Sequence, residues 1–201
     1  FYLLPTAAGA FYAVADRDDE PIRRLLLALL RHRTSPLADV SSLCRWLEMT
    51  DGQGVLKVLH RAQTLFLVQG EREPRQVTDF GIGRELRDLL PALSSLGKGL
   101  LVDWNGLSLA RCGLDDEAAE ALSALSADLV SVQLRHYSRL AKSLRLPVQG
   151  WAAVDAYGAS RIGAWPLFVG DERFMLVLLG EPRLNRQEFV TLVWMLISRY
   201  G

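Results

Sequence analysis

The sequence has only two cysteines and three histidines in 201 residues, and no excess of charge of either sign, with Lys+Arg and Asp+Glu both at 23. Cys44 and Cys112 are too far apart for a metal spacing and too few for a disulfide framework, so they read as buried thiols of a reducing, cytoplasmic protein. None of His32, His60 and His136 stands at a metal spacing from a cysteine or carboxylate. The even charge speaks against a general binder of nucleic acid or membrane surface, which needs a positive field. No apolar run reaches the ~18 residues of a membrane helix, and Phe189 to Ile197 falls well short. No membrane insertion is expected. The nucleophile turn Gly-x-Ser-x-Gly and the phosphate loop Gly-x4-Gly-Lys-Ser/Thr are both missing. Asp79-Phe80-Gly81 matches a kinase metal-binding tripeptide, yet the rest of the kinase set is absent, and Gly81 to Gly83 is too short for a dinucleotide fingerprint. Asp103 and Asp155 are two scattered carboxylates that a sheet could bring face to face, weak grounds for acid–base work. No enzyme activity, catalytic residue, metal or cofactor is expected.

What the chain does have is apolar material: half its residues are hydrophobic, enough for real cores and too many for disorder. The length fits one or two domains. The first residue is Phe rather than Met, so residues upstream of it are expected. The polar stretch GEREPRQVTD, Gly70 to Asp79, separates two apolar patterns and sets an expected boundary between 1–78 and 79–201.

In the first half, Phe1 to Val14 alternates and reads as a short strand pair. Pro21 follows acidic residues and opens a helix carrying Leu25, Leu26, Leu29 and Leu30 at helical spacing. Ser35 and Pro36 read as cap and first position of a second helix, with Val40, Leu43 and Leu47 on one face. After a break at Thr50 to Gly52, a third helix carries Val55, Leu56, Leu59 and Ala62. Phe66 to Val68 then reads as a strand, with a charged turn behind it. Helix, helix, turn, helix, strand, charged turn resembles a winged-helix domain over Pro36 to Val77. That resemblance implies DNA binding through Lys57, His60 and Arg61, with Gln53 beside them and Arg72 and Arg75 in the turn. Against it, residues 1–78 hold ten Lys/Arg and nine Asp/Glu, and the turn alternates sign. A DNA reader normally has a clustered basic face. Such a unit could equally serve protein interaction or dimerisation.

In the second half, FGIGRELRDLLPALSSLG reads as a helix interrupted at Pro91. LLVDWNGLSLARCG reads as a hairpin with a tight turn at Asn105-Gly106. A long helix follows from about Asp115 to Leu146. Three strands come next, with turns at Gly158 to Ser160 and Gly170 to Glu172. A last helix follows Asn185, a candidate cap. This order, the hairpin and the acid-started helix DDEAAEALSALSADLVSVQLRHYSRLAKSL resemble the roadblock (dynein light chain) family over Gly81 to Gly201. Pro166 departs from the pattern, since a proline cannot donate to a strand ladder and belongs at an edge or bulge. The amino-terminal half is a further departure.

The resemblance implies an α/β (α+β) fold with a five-stranded antiparallel sheet and flanking helices, behind a small helical domain. It implies a non-enzymatic, dimeric module whose middle helices pair and whose sheets join at the third strand. Partners would be a second copy or a related roadblock-like subunit, and a Ras-like small GTPase or a bacterial polarity, motility or signalling complex. The residues point the same way. Leu122, Leu125, Leu129, Val132 and His136 form one row on the long helix, and Ala121, Ala124, Leu134, Tyr137, Ala141 and Leu144 a second, broader than the ~100° stripe one sheet requires. The expected dimer interface is Leu122, Leu125, Leu129 and Val132 with Trp151 and Val154 of the third strand. Arg135, Arg139 and Lys142 share a helix face as a candidate rim for an acidic partner, although cations at a helix end also complement its dipole. The alternative is a transcriptional regulator that reads DNA with the first half and dimerises or senses a ligand with the second.

Overall fold

The computed structural model describes residues 1–77, 82–144 and 149–201. The Asp79-Phe80-Gly81 tripeptide therefore lies outside the described residues. The chain divides into two compact units, 1–80 with 184–201, and 81–183. The carboxy-terminal helix, expected in the α/β domain, groups instead with the amino-terminal elements.

The first unit starts with strand β1 (Tyr2–Pro5) and helix α1 (Ala7–Val14), where the alternation had suggested two strands. Thr6 decides for a helix: its Oγ1 accepts the Gly9 N–H at 3.1 Å and caps the first turn. Gly9 is needed there, because a Cβ on it would lie 1.9 Å from the Leu67 carbonyl oxygen. Helix α2 (Pro21–Arg31) buries Leu25, Leu26, Leu29 and Leu30 as its spacing predicts. Helix α3 begins only at Val40 (Val40–Leu47), capped by Asp39 rather than Ser35, and Val40 is exposed. Ser35 is instead in extended chain: its N–H donates to the Arg75 carbonyl, and its Oγ accepts the Arg75 N–H. Helix α4 (Gly52–Thr64), capped by Asp51, buries Val55 and Ala62 and leaves Leu56 exposed. Strand β2 (Val68–Glu71) pairs antiparallel with β1 and starts two residues later than expected. Phe66 sits before it at φ 55°, exposed, in the turn out of α4. The carboxy-terminal helix α7 (Gln187–Tyr200) has Arg186 rather than Asn185 at its cap position and no side-chain cap hydrogen bond. It packs on α1 and α2: the Phe11 and Phe189 rings are 6.3 Å apart, and Trp194 Nε1–H donates to the His32 carbonyl at 2.7 Å.

The second unit is the α/β part. Helix α5 (Ile82–Leu89) passes into a 3-10 turn, Leu90–Leu93, with Pro91 near its start, which is the interruption the proline implies. Strands β3 (Gly99–Asp103), β4 (Ser108–Cys112), β5 (Trp151–Val154), β6 (Ser160–Val169) and β7 (Glu172–Leu179) form one antiparallel sheet in the order β4-β3-β7-β6-β5. Helix α6 (Asp116–Leu144) joins β4 to the far edge of that sheet. The mixed α/β class, the five-stranded antiparallel sheet, the flanking helices and the helical amino-terminal region are thus all present. Leu100, Val102, Ala164, Met175 and Val177 form one face of the sheet and pack with Ala119 and Val130 of α6. Pro166 lies within β6, opposite Met175 of β7. The β5–β6 pairing stops at Ala164, so at Pro166 the strand has a partner on one side only, as a residue without an N–H requires.

Candidate functional site

Helix α6 is the element on which the expected interface rests, and its burial is specific. The side toward the sheet carries Ala119, Ser123, Ser126, Val130 and Gln133, all buried. None of them belongs to the two rows expected from the sequence. They spell i, i+4, i+7, i+11, i+14, a helical stripe of mostly small residues that lets helix and sheet approach closely. The serines are tolerated because each hydroxyl donates to the carbonyl four residues back, Ser123 to Ala119 at 2.8 Å and Ser126 to Leu122 at 2.6 Å. A search for Leu and Val overlooks such a stripe; the serines at helical spacing from Ala119 and Val130 were the available signal.

The first expected row lies along the flank of that stripe. Leu122 and Leu129 are half-buried against the sheet core, Val132 is half-buried, and Leu125 stands 43% exposed. Of the second row, only Ala121 and Ala124 have described side chains. Ala121 and Ala124 are exposed on the outer side. The side chains of Leu134, Tyr137, Ala141 and Leu144, together with Arg145, lie outside the described residues. Arg135, Arg139 and Lys142 are exposed on the outer side of the helix, and His136, at the end of the first row, is exposed too.

Strand β5 is an edge of the sheet, with β6 on one side only. Its Val154 is 59% exposed, and Ala152 and Ala153 are exposed too. Trp151 is half-buried, with its Nε1–H donating to the Gln133 side-chain oxygen at 3.0 Å. Tyr157, considered as a partner anchor, is 96% exposed. Thus the structure gathers Leu122, Leu125, Leu129 and Val132 on one flank of α6, puts Val154 on an open strand edge, and gives Trp151 an internal partner.

The carboxylates that could have faced each other do not. Asp103 ends β3 and accepts the N–H groups of Asn105 and Leu107, so the hairpin closes through a four-residue turn with Gly106 at φ 80° instead of a two-residue Asn-Gly turn. Asp155 does the same after β5, accepting from Tyr157 and Ala159 and pairing with Arg161 at 2.8 Å. Each shapes its own turn, and two other strands separate β3 from β5. Cys112 is free and half-buried, and burial raises its thiol pKa, which disfavours the reactive thiolate. Among the described residues no group of three His, Cys, Asp or Glu is placed to hold a metal, and no helix is long and apolar enough to cross a membrane.

No family model and no curated protein matches the sequence. Among solved structures the chain is similar to MglB of Myxococcus xanthus, at 17% identity over 61% of this chain and 98% of that one, TM-score 0.40. It is similar to a roadblock/LC7 domain from Streptomyces avermitilis, at 18% identity over 59% and 92%, TM-score 0.37. It is also similar to the gliding protein MglB of Thermus thermophilus, at 17% identity over 64% and 96%, TM-score 0.39. At scores this low the likeness by itself decides neither family nor function.

In the first unit, Lys57, His60 and Arg61 lie with Gln53 on the exposed side of α4, opposite Val55 and Ala62. Arg72 is exposed in the turn after β2, and Arg75 pairs loosely with Glu71 at 3.8 Å.

Proposed function

We propose that the chain is a non-catalytic regulatory module that self-associates and engages a protein partner, the class of partner being a Ras-like small GTPase or a signalling complex. The observation that carries the reading is the half-exposed apolar flank of α6, with Leu125 at its centre, next to a sheet whose edge strand β5 is open. Apolar groups along one flank gain by leaving water, about 25 cal/mol per Å². An unpaired strand edge is a ready site for another strand. The GTPase rests on the resemblance to roadblock proteins, in which dimers of this design serve as co-regulators or scaffolds. A regulator of this kind needs no catalytic residue: it shifts its partner between nucleotide states by binding one of them more tightly. The test is a tagged pull-down from nuclease-treated lysate, read by mass spectrometry. Enrichment of a small GTPase, lost on charge reversal of Arg139 and Lys142 with melting unchanged, is the expected result. Recovery of the protein's own copies alone sinks the GTPase partner and leaves the dimer.

A second reading is supported by the common exposed face of Lys57, His60 and Arg61 on α4. There the amino-terminal unit is a winged-helix-like domain, 1–78, that reads DNA. Retention of duplex DNA at low salt, falling steeply with added salt, is its signature. No retention at low salt ends it.

A further inference from the structure

The chain leaves α4 through a turn that glycine normally makes. The Leu67 N–H donates to the Ala62 carbonyl and the Phe66 N–H to the Gln63 carbonyl, both at 2.9 Å, which is the Schellman closure of a helix end. In that closure the residue after the cap is left-handed, and its usual occupant is Gly or Asn. Here it is Phe66, at φ 55°. A side chain in this region crowds its own backbone, and an aromatic one makes no local hydrogen bond to offset that. Nor does the ring find a core: Phe66 is 79% exposed, and Leu65 beside it is 50% exposed. The conformation is imposed from outside the helix. Thr6 donates its hydroxyl to the Phe66 carbonyl at 2.6 Å and its N–H to the Leu67 carbonyl at 3.0 Å, and Leu67 itself is buried. The fold thus bears two costs at one position, backbone strain and an aromatic ring in water. Neither is needed to end the helix. Strain kept where glycine would serve marks a position held for use.

We infer that Phe66 and Leu65 are the apolar anchor of a docking site for an acidic segment of another protein. The charges that lead to the anchor define the chemistry of that segment. Lys57, Arg61 and Leu65 stand at i, i+4 and i+8, so two cations and a leucine follow one strip of α4 about 6 Å apart along its axis, and Phe66 ends it. All four side chains are exposed. Among the described residues neither Lys57 nor Arg61 makes an ion pair, and α4 has no acidic residue from Gly52 to Thr64. A segment that carries Asp or Glu at the spacing of Lys57 and Arg61, followed by an apolar side chain over Phe66, complements the strip in charge and in surface. Aromatic residues and arginine are the common anchors of such contacts. The turn is already fixed by Thr6, so docking orders little new backbone. This site lies on the first unit and does not depend on self-association through α6; either can fail without the other. It occupies the face of α4 that DNA reading would also use, and the test therefore includes DNA.

The whole chain is immobilised and offered a library of random peptides displayed on phage, with peptides that also bind the F66G variant removed. The expected survivors carry Asp or Glu beside an apolar residue. As free synthetic peptides they should bind the wild type, weaken as salt is raised, and lose about tenfold in affinity to K57E/R61E and to F66G alike. F66G should at the same time melt about 2–4 °C above the wild type, because glycine relieves the turn and little packing is lost. F66N should show the same loss of binding and the same direction of melting. An F66G that melts lower than the wild type shows that the ring serves the fold, and overturns the anchor. An empty selection, or survivors that are basic or uncharged, overturns the acidic partner. Retention of single-stranded or duplex DNA at low salt that is lost in F66G assigns the strip to nucleic acid and overturns the proposal as well.

Discussion

The Trp151 indole N–H donates to the Gln133 side-chain oxygen at 3.0 Å, tying the edge strand β5 to the buried stripe of α6. Gln133 is only 8% exposed, so this bond satisfies an amide that water reaches poorly. It also holds in place the strand whose free edge the proposed interface uses. Trp151→Phe removes the donor and keeps most of the ring. The expected cost is about 0.5–1.5 kcal/mol of stability, read by denaturant unfolding. A Trp151→Phe protein as stable as the wild type contradicts the bond.

Leu125 and Leu129 are neighbours on the flank of α6, yet they predict different outcomes. Leu129 packs against the sheet core, and Leu125 is 43% exposed. Leu125→Asp is expected to abolish self-association with a near-unchanged melting temperature. Leu129→Asp is expected to lower the melting temperature as well, since it pushes a charge toward an apolar core. Sedimentation and a thermal melt on both variants check this. A Leu125→Asp protein that remains a dimer removes α6 from the interface.

Two glycines in helices should respond oppositely to alanine. At Gly9 a Cβ would lie 1.9 Å from the Leu67 carbonyl oxygen, so α1 must move away from the chain before β2. Gly9→Ala is expected to cost about 1–3 kcal/mol or more by overpacking. At Gly83 in α5 the nearest atom would be at 3.5 Å, an ordinary contact. Gly83→Ala should stabilise by about 0.5–1 kcal/mol by lowering the entropy of the unfolded chain. Equal effects in a denaturant titration would contradict the close approach at Gly9.

Asp39, the cap of α3, has its pKa lowered from 3.8 to about 2 by hydrogen bonds from Ser41 and Ser42. A carboxylate held below its unfolded value adds stability that is fully present above about pH 4 and is lost as the pH falls toward 2. Asp39→Ala should therefore melt lower than the wild type at neutral pH, and the gap should narrow through the window from pH 4 to 2. A gap of constant size across that window would mean the carboxylate charge is not what caps the helix.

The sequence was most informative where a local rule dominates. The leucine spacing in α2, the proline at its start, the 3-10 interruption at Pro91 and the long acid-started α6 were all legible, because each follows from backbone geometry over a few residues. It misled where a distant partner competes with a local preference. Ser35 looks like a helix cap and instead pairs with Arg75, and the alternation before Val14 gives way to a helix capped by Thr6. The Asn105-Gly106 turn was expected from the dipeptide, but Asp103 organises it from two residues before Asn105.

By itself the sequence determined the fold class of this protein, the element order of its second half, and the apolar row on the long helix. Only the tertiary structure decided which side of that helix the sheet takes. A stripe of alanine, serine, valine and glutamine wins the sheet because small side chains allow close approach and the serine hydroxyls are satisfied within the helix. That choice left the leucine flank half in water and turned an amphipathic pattern into a surface. It likewise decided that α7 groups with the amino-terminal elements, since an apolar helix carries no label for which core it will join. Periodicity specifies that a face will be buried; long-range packing specifies against what.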